Sequence, residues 1–166
     1  GKYLCVEGDP KFLPFLKNNI KKIMESEIEI SENYCSDEDS ESEQLQVESQ
    51  NGTAKLVTSK DKTRVKIQLK RLDTIIKENP TFDKSNLLKI DTDGFEINIL
   101  KGAFGFLKKA KPAVHIEFTP DFYKSLNQDP TELINVLVKL GYRKALFFDN
   151  FGLPTEIINL TDLEKV

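Results

Sequence analysis

Cysteine and histidine, the residues that build disulfide frameworks and metal centres, are scarce in this sequence. Its 166 residues include two cysteines and one histidine, and tryptophan is absent. Cys5 lies in an apolar run and Cys35 at the head of an acidic loop, without the spacing of metal ligands. We therefore expect free thiols, no metal site, and the reducing environment of the cytoplasm.

Long apolar runs and an excess of one charge are also missing. No segment reaches the roughly 18 to 20 apolar residues that span a bilayer, and residues 1–4 form no secretory signal. The 24 basic and 27 acidic residues give a net charge of −3, which offers no electrostatic case for binding nucleic acid or an anionic membrane. We expect a soluble protein without a membrane-inserted segment, and the sequence leaves homo-oligomerisation open.

The glycine-rich loop of dinucleotide-binding proteins is a third absence. No Gly-x-Gly-x-x-Gly stretch occurs, and no glycine-rich turn precedes Glu7, where such a fold carries its first strand and loop. The sequence therefore lacks the glycine fingerprint that would support an oxidoreductase acting on nucleotide sugars. The chain also starts without methionine, and strand-like residues begin within two positions of Gly1, so we expect that further residues precede it.

Short apolar runs alternate with stretches of helical spacing along the chain. The strand-like runs are at 3–6, 27–30, 87–90, 113–118, 145–148 and 156–158. Helical spacing covers 10–23, 72–78, 95–109 and 130–140. The length is that of one domain. Strands that alternate with helices predict an α/β domain, with a doubly wound and mostly parallel sheet covered on both faces and a C-terminal antiparallel hairpin.

Two segments depart from this alternation. Residues 44–70 hold short strand-like runs around Asn51-Gly52, a strong hairpin signal, and we predict a small β insertion there, outside the main sheet, that includes the run 65–69. The acidic run 36–43 lacks the glycine and the ligand spacing of a calcium loop, so a solvated loop is predicted.

Two Asp-Pro pairs predict the first turns of helices. Asp129-Pro130-Thr131-Glu132 has the pattern of a capping box, and Gly141 follows the last periodic residue of that helix. Asp9 and Pro10 follow a turn in the same way, and predict a helix that begins at Pro10.

The stretch 87–102 changes from strand-like to helical spacing at an acidic turn. Asp91 and Asp93 fall at the carboxyl end of the predicted strand, where open α/β sheets bind their ligands. Asp91 could orient a substrate hydroxyl, act as a general base or bind a divalent cation, and we favour a functional role for it. Asp93 comes just before Gly94 and is better explained as the cap of the following helix.

Two other predicted strands also end in acids. Glu7 has the position at which a carboxylate binds both hydroxyls of a ribose, although an acid that caps the next helix explains it equally well. His115 and Glu117 are two residues apart on a strand and face the same way. They are a candidate base or ligand pair, while a histidine satisfied in the core or at a sheet edge is the more common explanation of His115.

The residues of the central stretch resemble those of the FkbM family of S-adenosylmethionine-dependent methyltransferases. Residues 88–96, Leu-Lys-Ile-Asp-Thr-Asp-Gly-Phe-Glu, are similar to the family's Leu-Lys-Ile-Asp-Val-Glu-Gly-Ala-Glu, and residues 99–103 to its Val-Leu-Lys-Gly-Ala. Residues 6–10, 36–39, 71–73 and 112–117 resemble, in turn, the family's Phe-Glu-Pro-x-Pro, Gly-Asp-x-Asp, Thr-Leu-Asp and Pro-x-x-x-x-Glu segments.

The resemblance implies a fold and an activity. It implies a Rossmann-like class I methyltransferase domain over 1–166, with 44–70 as an insertion and no counterpart of the first strand and glycine loop. It also implies methyl transfer from S-adenosylmethionine to a hydroxyl of a sugar or another small-molecule acceptor. The alternative is a non-catalytic Rossmann-like binding or regulatory module.

The resemblance also implies roles for particular residues. Glu7 would bind the ribose of the cofactor, and Cys35, Ser36 and Asp37 would lie near its adenine. Asp91 would face donor and acceptor, with Asp91 or Glu117 helping to deprotonate the hydroxyl and His115 as a third catalytic candidate.

Two departures from the family pattern matter. Asp93 replaces a glutamate, which shortens that side chain by one methylene. A missing first strand would leave inner strand edges unpaired, so we expect upstream residues, a partner or a rearrangement to fill the gap, and poor cofactor binding by these 166 residues alone.

Overall fold

The computed structural model describes residues 1–23, 27–42, 45–50, 53–58, 66–125 and 127–163. The strands are β1 (Lys2–Val6), β2 (Glu27–Ser31), β3 (Tyr34–Ser36), β4 (Ser40–Ser42), β5 (Leu45–Gln50), β6 (Thr53–Thr58), β7 (Ile67–Arg71), β8 (Leu87–Ile90), β9 (Ala113–Ile116), β10 (Lys144–Phe148) and β11 (Pro154–Asn159). The helices are α1 (Leu13–Ile20), α2 (Leu72–Glu78), α3 (Glu96–Gly102), α4 (Phe104–Ala110), α5 (Pro120–Ser125), α6 (Pro130–Lys139) and α7 (Leu160–Leu163), with a 3₁₀ turn at Pro80–Phe82.

The chain folds as two compact units, Gly1–Glu117 and Phe118–Val166. In the first unit β1 pairs with β2, β3 with β7, and β8 with β9, each time in parallel. In the second, β10 and β11 form an antiparallel hairpin. These pairings confirm an α/β fold with mostly parallel pairing of the main strands and a C-terminal hairpin, while a single domain over 1–166 stays a prediction.

Strand β7 lies within the predicted β insertion but pairs with strands beyond it. It pairs in parallel with β3 and antiparallel with β4, in a three-stranded sheet separate from β1–β2 and β8–β9, so the place of the run 65–69 outside the main sheet stays a prediction. Ile67 and Leu69 alternate along β7, are buried, and have Tyr34 and Phe95 packed against them. Burial of these two side chains stabilises the fold by roughly 1.5–3 kcal/mol each, which holds the strand in the core. Strands β5 and β6 do pair antiparallel, and residues 51 and 52 between them lie outside the described residues.

The acidic run also differs from its prediction. Residues 36–43 were predicted to be a solvated loop, but Ser40–Ser42 pair antiparallel with β7. The strand is tolerated because Glu41 points outward and is paired with Lys66 at 3.1 Å and with Gln68. Gln68 faces Glu41 across the two strands, and polar or ionic pairs between neighbouring strands favour their pairing.

The first helix starts three residues later than predicted. The carbonyl of Asp9 accepts the amides of Phe12 and Leu13, and its Oδ1 accepts the amide of Lys11 at 2.8 Å. These bonds close a turn before the helix, so α1 begins at Leu13 instead of Pro10. The second Asp-Pro pair behaves as predicted: α6 begins at Pro130, and Asp129 accepts the amide of Thr131 at 2.9 Å.

Apolar side chains of the helices form the rest of the core. Ile75, Ile97, Leu100 and Leu107 are fully buried in the first unit, where α3 packs against β3 and α2 against α4. In the second unit Leu133, Leu140, Leu160 and Tyr123 are fully buried, and Phe118 packs against Tyr123 and Phe147 with ring centroids 6.0 and 6.4 Å apart. None of the helices in the described ranges combines the length and apolar character that a bilayer span requires.

Candidate active site

The turn after β8 is organised by a buried carboxylate. Glu96, the first residue of α3, is only 1% exposed. Its Oε1 accepts the amide and the hydroxyl of Thr92 at 2.9 Å each, and its Oε2 accepts the amide of Gly94 at 3.0 Å. A buried carboxylate requires such partners, and here they fix the backbone that follows Asp91.

The predicted capping role of Asp93 is wrong. The N-cap of α3 is Phe95, which makes no side-chain capping bond. Asp93 lies two residues earlier in the left-handed region, with φ of 51°, and Gly94 has φ of 114°. Because Glu96 holds the turn from inside, the chain makes two successive left-handed residues before the helix starts, and aspartate is among the residues that adopt this conformation with little strain. Sequence reasoning missed Glu96, whose signal was its place at the end of the family-like motif.

The two acids at the ends of β8 and β9 lie side by side. The strands are parallel and in register, with Lys89 opposite His115 and Ile90 opposite Ile116. The amide of Glu117 continues the ladder by donating to the carbonyl of Ile90 at 3.3 Å. Asp91 and Glu117 therefore follow facing strand residues, and each carboxyl group shifts the pKa of the other.

Lys89 makes the two acids unequal. Its Nζ lies 2.6 Å from Oδ2 of Asp91, and this hydrogen bond holds the pKa of Asp91 below its ordinary value. Desolvation and the hydrogen bond with Asp91 raise the pKa of Glu117 above its ordinary value. Two carboxyl groups in contact share one proton more readily than both ionise. Of the two acids, Asp91 is therefore the one that ionises more readily, and Glu117 is the one that keeps a proton more readily.

His115 belongs to the same surface. Its side chain is exposed, so it is not a core histidine. Alternation along the strands turns Lys89, Asp91, His115 and Glu117 toward one face of the β8–β9 pair. The charge of His115 also favours the ionised form of Asp91. The structure thus brings the three predicted catalytic residues together and adds Lys89, whose signal in the sequence was the two-residue spacing from Asp91.

Glu7 lies in a second turn, after β1. Its amide donates to the carbonyl of Ser31 at 3.0 Å, and its Oε1 accepts the amide of Asp9 at 2.7 Å. A Cβ on Gly8 would come within 2.5 Å of the Tyr34 ring, so glycine lets the turn sit directly on this ring. Desolvation, with the charges of Asp9 and Glu7, raises the pKa of Tyr34. The Glu7 side chain is held in one orientation.

The predicted adenine segment lies on the β3 end and is packed against α3. Ser36 is buried, and its hydroxyl donates to Oδ1 of Asp37 at 3.0 Å. Asn98 Nδ2 reaches the same oxygen, also at 3.0 Å. A Cβ on Gly102 would come within 2.0 Å of the Ser36 carbonyl, so only glycine permits this approach. Burial raises the pKa of the Cys35 thiol to about 12, which keeps it neutral.

Tyr34 connects these groups of residues. Its ring contacts Gly8, next to Glu7, and it comes directly before Cys35 in the chain. Together with Phe95 of the central turn, it packs against Ile67 and Leu69. The structure therefore places the Glu7 turn beside Tyr34, the first residue of β3, and Ser36, its last residue, beside α3. Strands β1 and β8 belong to separate sheets in the described part of the chain, and no hydrogen bond there joins Glu7 to Asp91.

Two further acids of the family-like segments have structural partners. Asp39 accepts the amide of Arg71 at 2.8 Å and the hydroxyl of Thr74 at 2.7 Å, which satisfies the start of α2. Asp73 accepts the amides of Gly105 and Phe106 at 3.0 and 2.7 Å, which does the same for α4. Within the ranges that the structure describes, no three acids, cysteines or histidines are grouped to hold a metal ion.

Comparison with known proteins identifies the family of this chain. The family model for the methyltransferase FkbM domain matches residues 1–144, and the chain belongs to this family of methyltransferases. The region covers both turns and the carboxyl pair, whereas β11 lies beyond it.

A solved structure supports the fold. The chain is similar to the crystal structure of methyltransferase FkbM from Methylobacillus flagellatus KT, with a TM-score of 0.54 and 18% identity. The match covers 87% of this chain and 32% of that one, so this chain spans about a third of the length of the protein it resembles. At this identity the likeness shows the α/β fold. No match is found among curated proteins.

Proposed function

We propose that the protein transfers a methyl group from S-adenosylmethionine to a hydroxyl of a sugar or another small-molecule acceptor. The observation that carries this proposal is the carboxyl pair of Asp91 and Glu117 at the carboxyl ends of adjacent parallel strands, in a chain of the FkbM family. A hydroxyl has to lose its proton when it is methylated, and an ionised carboxylate held at a strand end is suited to take it.

The Glu7 turn fits the ribose of the cofactor. One carboxylate oxygen accepts the amide of Asp9, which fixes the side chain, while Oε2 takes no part in that bond. A fixed carboxylate at a strand end is the group that binds a ribose diol in Rossmann-like folds. Parallel pairing of β1–β2 and β8–β9, each followed by acids, supports the finer proposal of a Rossmann-like doubly wound arrangement.

The β3 end fits the adenine. Ser36 and Asn98 both donate to Oδ1 of Asp37, which fixes this carboxylate as a group that could accept the exocyclic amine of a base. Although partial burial opposes it, these bonds hold the pKa of Asp37 below its ordinary value and keep the side chain an acceptor. The neutral Cys35 thiol would add an apolar contact to the ring.

The reaction then depends on a few residues of this chain. The bound cofactor supplies an electrophilic methyl group. Asp91, ionised and held by Lys89, orients the acceptor hydroxyl and takes its proton, while Glu117 and His115 set the charge around it. Most of the rate enhancement would come from alignment, because methyl transfer requires donor and acceptor in line.

The experiment that tests the proposal is methyl transfer from labelled S-adenosylmethionine to a panel of sugar hydroxyl acceptors, with the variant Asp91→Asn. We expect this substitution to lower kcat by about a hundredfold or more, since a positioned base contributes that much. Asp121→Asn is the matched control, because Asp121 is fully exposed on α5. Unchanged turnover in Asp91→Asn would refute the role of Asp91, and no transfer to any hydroxyl would refute the activity.

A further inference from the structure

We infer that Lys89 is a positioning residue that decides which of two carboxyl groups holds their shared proton, and thereby makes Asp91 the base. The inference deepens the proposed function and rests on it for the identity of the reaction. The position of the shared proton in the Asp91–Glu117 pair does not depend on any substrate and can be tested without one.

The geometry is asymmetric about the pair. Lys89 stands one strand repeat before Asp91 on the same face of β8, and its Nζ binds Oδ2 of Asp91 at 2.6 Å. Glu117 lies at the end of the neighbouring strand, directly after Ile116, which pairs with Ile90, so it faces Asp91 across the two strands. A cation bound to one member of a carboxyl pair stabilises the negative charge on that member, so the proton moves to the other.

The other charged groups around the pair act in the same direction. His115, opposite Lys89 on β9, favours the ionised form of Asp91. Asp93 and Glu96, from the turn and the start of α3, disfavour the ionised form of Glu117. Lys89 binds the Asp91 carboxylate directly.

The proton step follows from this arrangement. The O–H bond of the acceptor breaks, its proton forms a new O–H bond on the Asp91 carboxylate, and the electron pair stays on the acceptor oxygen. When the shared proton is on Glu117, that carboxyl group can donate a hydrogen bond to Asp91 and does not compete for the acceptor's proton. Without Lys89 the shared proton would spend more time on Asp91, and the fraction of protein with a free base would fall.

The protonation of the Asp91 and Glu117 carboxyl groups can be measured without any enzymatic turnover. We would label aspartate and glutamate side-chain carboxyl carbons with ¹³C, titrate the protein by NMR, and assign the pair with Asp91→Asn and Glu117→Gln. In the range where the pair holds one proton, we expect the Glu117 carbon to report the acid and the Asp91 carbon the carboxylate. In Lys89→Met the protonated fraction should move toward Asp91, and Lys89→Arg should restore it. An unchanged distribution in Lys89→Met would overturn the inference.

A matched control and a kinetic readout complete the experiment. Lys2→Met removes a similarly exposed strand lysine, paired with Glu27 at 2.7 Å, and should leave the Asp91–Glu117 titration unchanged. On the acidic side of the pH profile, Lys89→Met should lower methyl transfer about threefold, as expected for loss of one exposed ion pair, with the plateau restored at higher pH. A uniform loss at all pH values would show a merely structural role. If no variant transfers methyl groups but the NMR distribution shifts, the proposed function fails and the inference stands.

Discussion

The two parallel strand pairs β1–β2 and β8–β9 have the same arrangement of strands and acids, but their acids have different partners. In each pair an acid follows both strands, Glu7 and Glu32 in one and Asp91 and Glu117 in the other. In each, an amide at the strand end extends the ladder, from Glu7 to Ser31 at 3.0 Å and from Glu117 to Ile90 at 3.3 Å. Only the second pair of acids meets.

The difference lies in the group that binds each carboxylate. Lys17 of α1 binds Glu32 at 2.5 Å, and the amide of Asp9 binds Glu7 at 2.7 Å, so these two carboxylates have separate partners. At the other pair, Lys89 binds Asp91 alone and Glu117 turns to Asp91. A single carboxylate is suited to a neutral diol, whereas two that share a proton are suited to proton transfer. Strand register brings acids to a sheet end, and nearby cations and amides decide their chemistry.

The largest effect should come from the carboxylate that shapes the turn beneath Asp91. Glu96→Ala leaves the amides of Thr92 and Gly94 unpaired in a buried turn, and we expect the free energy of unfolding to fall by about 2–4 kcal/mol. Urea unfolding followed by circular dichroism measures it. Glu32→Ala, an exposed acid at the other strand pair, should change it by less than about 0.5 kcal/mol. Equal losses in both variants would show that the two sheet ends are not built differently.

The contact between the β3 end and α3 should be the next most sensitive. Gly102→Ala places a methyl group against the Ser36 carbonyl, and we expect a loss of about 1–3 kcal/mol, because backbone has to move to relieve the clash. The neighbouring exposed position offers a control, Lys101→Ala, which should be close to neutral. Thermal unfolding compares the two variants, and an unaltered midpoint in Gly102→Ala would contradict the close approach.

Cofactor affinity should depend on Glu7, which follows β1, and not on Glu32, which follows β2. Under the proposed function, Glu7→Gln should weaken binding of S-adenosylhomocysteine by about tenfold, since a charged acceptor to a hydroxyl is lost. Isothermal titration calorimetry gives the Kd. Glu32→Gln should bind as the unaltered protein does, because its carboxylate is already held by Lys17. Equal affinity in all three proteins would remove Glu7 from the site.

The smallest effect concerns pH. The pKa of Glu117 is raised in the folded protein, so folding favours its protonated form, and stability is lost as pH rises from the ordinary glutamate pKa through the raised one. Glu117→Gln mimics the protonated form and should therefore gain stability, by less than about 1 kcal/mol, at neutral pH and not at low pH. Urea unfolding at several pH values tests the sign. A gain that persists below the ordinary glutamate pKa would come from another source.

Much of the fold could be predicted from local pattern. Helix α2 occupies Leu72–Glu78 and β8 occupies Leu87–Ile90 as predicted, because a proline or an acidic turn ends each of them. The terminal hairpin and the start of α6 were also correct, since local turn and capping chemistry determines them. Strand β4 was predicted wrongly as a solvated loop, because its pairing with β7 joins residues about thirty positions apart.

Some features of the candidate site could likewise be predicted from the sequence, and others could not. That Asp91 and Glu117 lie at strand ends and that His115 and Glu117 face the same way could be predicted from alternation, whereas the pairing of the two strands was found only in the structure. That Asp93 is not a cap, that Glu96 is buried beneath the turn, and that Asp39 and Asp73 serve helix ends required the packed structure. A carboxylate in a sequence has no partner until the chain folds, so its role cannot be assigned from spacing alone.

The sequence by itself determined the alternation of strands and helices, the acids at strand ends and the resemblance to FkbM methyltransferases. These are properties of neighbouring residues, set by side-chain period and local turn chemistry. The tertiary structure decided that Asp91 meets Glu117 while Glu7 does not meet Glu32, and that Lys89 binds one acid of the pair. The reason is physical: the charge state of a carboxyl group depends on what lies within a few ångströms of it, and only folding brings those groups there.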